Sequence, residues 1–249
     1  MPEVNLLIIA AAAVFFAGVS KGGFGSAASF AAAPILSLVM DPRLALGVML
    51  PLLMLIDIAA LKSFWGKWHT PTALAMCIGA LPGVALGVWF FRTADADTFR
   101  LLIGAVALGF VAYQIPREMG WLRVPVMAFR SWLGFLAGMA AGFTSFVAHA
   151  GGPPAAIFML SQGMRKTVYQ ATSVVTFWVI NMLKLVPYAL LGAFTEETLV
   201  LDLWLFPVAL IGTWVGVRAH YWVPERAFFA LTYFLLVCTG CKLLWEGLT

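Results

Sequence analysis

The stretch Gly142-Phe143-Thr144-Ser145-Phe146-Val147-Ala148-His149-Ala150-Gly151-Gly152-Pro153-Pro154 interrupts a long apolar region. A shorter one, Ser20-Lys21-Gly22-Gly23-Phe24-Gly25-Ser26, interrupts another near the N-terminus. Relative to alanine, each glycine costs a helix about 1 kcal/mol and each proline about 3. Helical backbone is therefore expected to break at both places. The two places also correspond: Ala17-Gly18, Gly22 and Pro34 match Ala137-Gly138, Gly142 and Pro154 at a constant offset of 120 residues. Further on, Asp57 falls opposite Asn181, Gly83 and Gly87 opposite Gly212 and Gly216, and Phe99 opposite Phe228. Order and spacing persist across both halves, as an internal duplication would leave them.

The surroundings of these stretches are those of a membrane protein. Of 249 residues, 63% are hydrophobic and only 10% charged, and the mean hydropathy is +0.97. Soluble domains carry roughly 25% charged residues. This composition excludes a cytosolic enzyme, a disordered chain and a nucleic-acid binder. Charge, proline and glycine divide the apolar regions into ten segments. These are Val4–Ser20, Gly25–Met40, Leu44–Leu61, Pro71–Phe91 and Phe99–Ile115, then Ser131–Ala148, Pro153–Leu160, Val168–Phe194, Leu199–Val217 and Ala227–Trp245. Gly25–Met40 and Pro153–Leu160 are short against the ~20 residues of a full span. Five segments per half make the second half enter the membrane the opposite way round. The expected fold is all-α: a polytopic membrane helix bundle of about 8–10 segments in two inverted-topology repeats with discontinuous helices. Residues 1–115 form the first repeat, 116–130 the connector and 131–249 the second repeat.

The basic residues orient this scheme. Arg43, Arg92, Arg100 and Lys242 fall on one side, and Lys21, Lys62, Lys67, Arg117, Arg123, Arg130, Arg165, Lys166, Arg218 and Arg226 on the other. The richer side is cytoplasmic by the positive-inside rule, which places both termini outside. The net charge of +4 follows from the same rule and implies no nucleic-acid partner. Cys77, Cys238 and Cys241 lie in apolar runs and read as buried packing residues. The start Met1-Pro2-Glu3 lacks the basic residues of a cleavable signal peptide.

A break inside a bilayer persists only where protein or a wet cavity surrounds it. It also frees N–H groups at the start of the next half-helix, where the dipole favours an anion. Gly22, Gly23, Gly25 and Ser26 would then line one wall of a site, and Thr144, Ser145, Gly151 and Gly152 the other. For an isolated glycine the plainer reading is close helix packing. A polar stripe adds to the case. On the eighth segment Gln170, Ser173, Asn181, Lys184 and Tyr188 fall within an arc of ~80° at 100° per residue. A charge at the centre of a membrane helix costs about 2.5–3.5 kcal/mol and needs a partner or water. Lys184 is placed too deep to reach the interface easily. Asp57 is the second intramembrane ionisable group: it could pair with Lys184, bind a coupling proton or cap a helix. His149 could touch an anion, carry a proton or be purely structural. Lys21 is read as a positive-inside loop residue in preference to a cation at an anion entrance.

Other chemistries find little support. Neither a Walker G-x-x-x-x-G-K-[ST] nor an H-E-x-x-H occurs; no cofactor and no metal site is expected. Ser145 and His149, four residues apart, suggest a serine protease only weakly, because an exposed nucleophile and an oxyanion hole are also needed.

The glycine-rich stretches with their prolines resemble those of the TauE/SafE sulfite exporter family of bacterial permeases. So do Ala171-Thr172-Ser173 through Asn181-Met182-Leu183-Lys184-Leu185-Val186-Pro187-Tyr188, and Gly47-Val48-Met49-Leu50-Pro51-Leu52-Leu53 through Asp57. The similarity covers essentially the whole chain. It departs at Phe24, where a further glycine is expected. The resemblance implies a non-enzymatic secondary transporter of a small sulfur-containing anion, such as sulfite or an organosulfonate, in the bacterial inner membrane. Its partners would be that anion and the lipid bilayer, with association into homo-oligomers left open. An anion channel is the alternative, and an intramembrane enzyme a more distant one. An inside-negative potential is worth about 2.3 kcal/mol per charge per 100 mV. Export of a monovalent anion could run on that alone, whereas uptake would need a cation, with Asp57 or His149 as its first binding candidates.

Overall fold

The computed structural model describes residues 4–24, 29–121, 125–219 and 225–249. Among them it is helical throughout, with no strand. The helices are α1 (Val4–Val19), which continues as a π-helical turn (Ser20–Phe24), α2 (Ala32–Leu36), α3 (Pro42–Phe64), α4 (Thr70–Thr93) and α5 (Ala96–Glu118). Beyond the connector come α6 (Ser131–Ala148), α7 (Gly152–Ser161), α8 (Lys166–Leu190), α9 (Glu196–Ala219) and α10 (Glu225–Leu248). Eight are long and apolar enough to cross a membrane; α2 and α7 are not. The protein is a multi-pass membrane protein.

One sequence expectation needs correction here. The first glycine stretch does not open at Ser20. The chain winds on through a π turn, an over-wide turn frequent at functional positions, so Lys21, Gly22 and Gly23 are helical. Gly25 and Ser26 lie outside the described residues. The second break lies where the segment bounds put it, because α6 runs unbroken from Ser131 to Ala148. Only His149, Ala150 and Gly151 separate it from α7. Helix α5 continues through Pro116 to Glu118.

Helix direction follows from one large cavity at an end of the bundle. The C-terminal ends of α3, α5, α7 and α9 and the π turn after α1 line it, as do the N-terminal ends of α8 and α10. Helices α1, α3, α5, α7 and α9 therefore run toward that face, and α8 and α10 run away from it. The strongest packing pairs α4 with α6, α1 with α9, α5 with α10 and α3 with α8.

Glycines let these pairs approach. A Cβ on Gly83 would lie 2.1 Å from the Met139 carbonyl, and one on Gly138 2.1 Å from that of Met76, along the α4–α6 seam. The α1–α9 seam repeats the arrangement: a Cβ on Gly23 would lie 2.2 Å from the Gly216 carbonyl, and one on Gly216 2.3 Å from that of Val19. Small residues at such contacts allow backbone-to-backbone packing where no hydrophobic force distinguishes helix from lipid.

Polar residues secure the end opposite the cavity. Arg43 donates to the Ala94 carbonyl, and its guanidinium lies 5.4 Å from the ring centres of Phe91 and Phe99. The start of α3 is thus fastened to the α4–α5 turn. Asp95 caps α5 by accepting from the Thr98 N–H at 2.9 Å. Hydrogen bonding to the Thr98 hydroxyl, and then to that N–H, holds its carboxyl below the usual carboxylate range. Cys238 and Cys241, expected to be buried, are exposed on α10 and Cys77 is half-buried. A small apolar side chain suits a lipid-facing surface as well as a core.

Candidate functional site

The stripe on α8 faces the interior and bonds across the molecule at each step. Gln170 Nε2 donates to the Lys21 carbonyl at 3.1 Å. Asn181 Nδ2 donates to Asp57 Oδ2 at 2.7 Å. Lys184 Nζ reaches the Ser145 carbonyl at 3.1 Å, Ser145 Oγ at 3.0 Å and His149 Nδ1 at 2.9 Å. Tyr188 donates to the Phe146 carbonyl. Ser173 is buried on the same helix. The stripe is thus a strut joining α8 to α3, α6 and the π turn.

Lys184 is fully buried, six residues from the end of α8, so its stem does not reach the interface. Its three contacts match the three N–H bonds of an ammonium group. His149 fits that assignment: Nε2 faces the Leu46 carbonyl at 3.0 Å, an acceptor, and so carries the ring proton. Nδ1 then offers a lone pair to Lys184, and the imidazole is neutral. Its aim depends on the backbone. His149 closes α6 in the left-handed region at φ 51°, a conformation costing a non-glycine residue about 1–3 kcal/mol. The His149 and Ala150 N–H groups bond back to the Ser145 and Thr144 carbonyls, which caps the helix.

Lys21 corrects the reading of it as a loop residue. It is buried on the π turn, and its Nζ lies 2.5 Å from Asp57 Oδ1. Of the three roles open to Asp57, the structure shows a pairing, with Lys21 and Asn181 and not with Lys184. Each carboxylate oxygen thus has its own donor. The burial of Lys21 had a sequence signal: its neighbours are apolar, glycine or serine, without the proline, aspartate or asparagine of a solvated loop.

Lys21, Ser145, His149, Gly152 and Asn181 meet around a small space, together with Phe177, Ser29 and Leu53. Its volume is about 10 Å³, room for one water at most and none for an oxyanion. Among the described residues, Gly22, Gly23, Thr144 and Gly151 are not among those that line this space. Gly22 and Gly23 border the large cavity and pack against Thr213 and Gly216 of α9. Thr144 spends its hydroxyl on the Ala140 carbonyl one turn back. A Cβ on Gly151 would lie 2.6 Å from the Ala141 carbonyl and 2.7 Å from Phe177, so this glycine serves close approach. The N-terminus of α7 offers fewer donors than its position suggests, because Pro153 and Pro154 carry no N–H.

The large cavity, about 1070 Å³, leads toward this cluster from the face where Lys67, Arg117 and Lys166 stand. Glu118 is the acidic residue at its rim, and Gly22, Pro153 and Gln170 line it on the way toward the cluster. The arrangement is a cationic vestibule above a buried, hydrogen-bonded cluster of two lysines, one aspartate and one histidine. Among the described residues no group of His, Cys, Asp and Glu is arranged to hold a metal ion.

No curated protein and no solved structure gives a significant match to the chain. The family model described as "Sulfite exporter TauE/SafE" matches residues 10–243, a span holding α2 to α9 in full, most of α1 and α10, the vestibule and the buried cluster. The chain belongs to the TauE/SafE sulfite exporter family of membrane transporters.

Proposed function

We propose that the chain is a secondary permease that carries a small sulfur oxyanion, sulfite or an organosulfonate, through the buried cluster. The observation that carries this reading is Lys184: a completely buried ammonium that contacts only neutral acceptors, beside a second lysine already neutralised by Asp57. A buried cation without a counter-charge is costly. A site that admits an anion supplies one.

The vestibule face is the cytoplasmic one in this reading, and both termini are periplasmic. With Lys21 withdrawn into the protein, nine basic residues still stand against four. The bundle is in an inward-facing, unloaded state: the anion enters through the vestibule, and Asp57 occupies its seat until it arrives. Two inverted repeats support this cycle, since α1 packs on α9 as their counterparts α6 and α4 pack on each other. Rocking one repeat against the other would open the far side. The 10 Å³ space, too small to pass an anion, favours such a carrier over an open anion channel. Lys184 also speaks for transport over catalysis. With all three N–H bonds donated, it has no lone pair to take a proton from Ser145.

The test is thermal unfolding of the purified full-length protein with sulfite, thiosulfate, sulfate, sulfoacetate and taurine. A ligand bound only by the folded state stabilises it by about 2.7 kcal/mol at a hundred times its Kd. At least one of these anions is expected to raise Tm in a saturable way, with sodium chloride at equal ionic strength as the control. A Tm indifferent to all of them would contradict the reading.

A further inference from the structure

We propose that Asp57 sets the charge of the cargo: the cluster accepts one net negative charge per turnover, so that a monoanion travels alone and a dianion travels with a proton on Asp57. This rests on the permease reading above and adds to it which ionic form of the substrate is carried.

The argument is a charge count on a closed group of residues. Lys21 and Asp57 cancel at 2.5 Å. Lys184 faces three neutral acceptors; as the ammonium that donates to all three it contributes +1. His149, with Nε2–H on the Leu46 carbonyl and its lone pair on Lys184, adds none. The cluster therefore carries +1 while Asp57 is ionised and +2 once it is protonated. At these depths no solvent screens the difference, and an unmatched charge costs several kcal/mol.

The groups around Asp57 allow no other compensation. The π turn brings Lys21 and α8 brings Asn181 and Lys184, with His149 beyond Lys184. Helices α1 and α2 carry no ionisable side chain. The ionisable groups of α5 lie near its two ends. On α9, Glu196 and Glu197 open the helix, Arg218 lies in its last turn, and Asp202 is buried six residues from its start, near the end that faces away from the vestibule. Asp57 also has the right geometry for an exchange. Its two oxygens hold an ammonium and an amide donor, the pair that an oxyanion would take over. A monoanion competes with the ionised carboxylate for those donors and leaves the cluster neutral overall. A dianion leaves it at −1 unless a proton neutralises the displaced carboxylate.

The sign of the pH dependence follows. The protonated fraction of Asp57 falls as pH rises above its pKa, so dianion transport falls with it, and monoanion transport does not. The experiment uses proteoliposomes of the full-length protein with two probes, methanesulfonate, a monoanion throughout the neutral range, and thiosulfate, a dianion there. In the wild type, methanesulfonate flux is expected to be flat with pH and to carry one elementary charge. Thiosulfate flux is expected to fall by up to about tenfold per pH unit, with one proton arriving per ion on a trapped pH dye. Asp57→Asn leaves the cluster at +2. Thiosulfate flux should then lose its pH dependence and its proton, while methanesulfonate flux drops by roughly tenfold or more. Wild-type thiosulfate flux that is flat with pH and proton-free would overturn the charge rule and leave the permease reading standing. Absence of flux for both probes and for sulfite would overturn the permease reading and the rule together. The wild-type measurements stand even if Asp57→Asn fails to fold.

Discussion

Lys184→Met is expected to reduce sulfite or sulfonate flux in proteoliposomes by roughly a hundredfold, the scale of a lost charge-assisted hydrogen bond of ~1.5–3 kcal/mol. Methionine keeps the unbranched stem and much of the volume, so the packing of α8 between α3 and α6 survives. The substitution leaves the Ser145 carbonyl and hydroxyl and His149 Nδ1 without their shared donor. It also removes an ammonium buried without a counter-charge, whose desolvation burdens the unloaded protein. The two effects oppose each other, so folding should persist while the attraction for an anion is lost. Size-exclusion elution and thermal unfolding report the first, and flux the second. Unchanged flux in folded Lys184→Met protein would remove the residue from the transport path.

Gly138→Val should produce the opposite separation, with the fold lost before function can be asked about. The first atom added would sit 2.1 Å from the Met76 carbonyl and 2.6 Å from its Cα. Both are backbone atoms of α4, which cannot turn aside as a side chain can. Separating α4 from α6 would open the seam that also contains Gly79, Gly83 and Gly142. The cost should be about 3 kcal/mol or more, at or beyond the upper end of ordinary overpacking. Little monodisperse protein should be recovered in detergent. Gly109→Ala is the control, because nothing lies within 4 Å of the added carbon; its recovery should match the wild type. Equal recovery of both variants would mean that the α4–α6 seam does not bear on folding.

The parts of this architecture that were legible in the sequence are those set by solvent. Apolar length marks the spans, and the 100° period on α8 brings Gln170, Asn181, Lys184 and Tyr188 to one inward face because each needs a polar partner that lipid lacks. Partner choice was less legible. Asp57 had three open roles because pairing depends on which turn of which helix lies opposite, and Lys21 is separated from it by 36 residues. The π turn was hidden as well. Glycine lowers helix propensity, but it also permits the close contact with α9 that holds Gly22 and Gly23 in a helical turn. Thr144 shows the same limit at one residue: its hydroxyl had a partner within its own helix, and composition alone does not reveal which partner a hydroxyl takes. The distinction between a glycine that cradles an anion and one that admits a neighbouring helix rests on what lies across from it.

The central claim is that the anion seats in the buried cluster and not merely in the cationic vestibule. Selenite, the heavier analogue of sulfite, allows a direct test through anomalous scattering from crystals of protein with ordinary methionine. The expected result is one strong peak within hydrogen-bonding distance of Lys184 Nζ, with Asp57 displaced from Lys21 or Asn181. A peak confined to the surroundings of Lys67, Arg117 and Lys166, with the Lys21–Asp57 pair intact at saturating selenite, would contradict it.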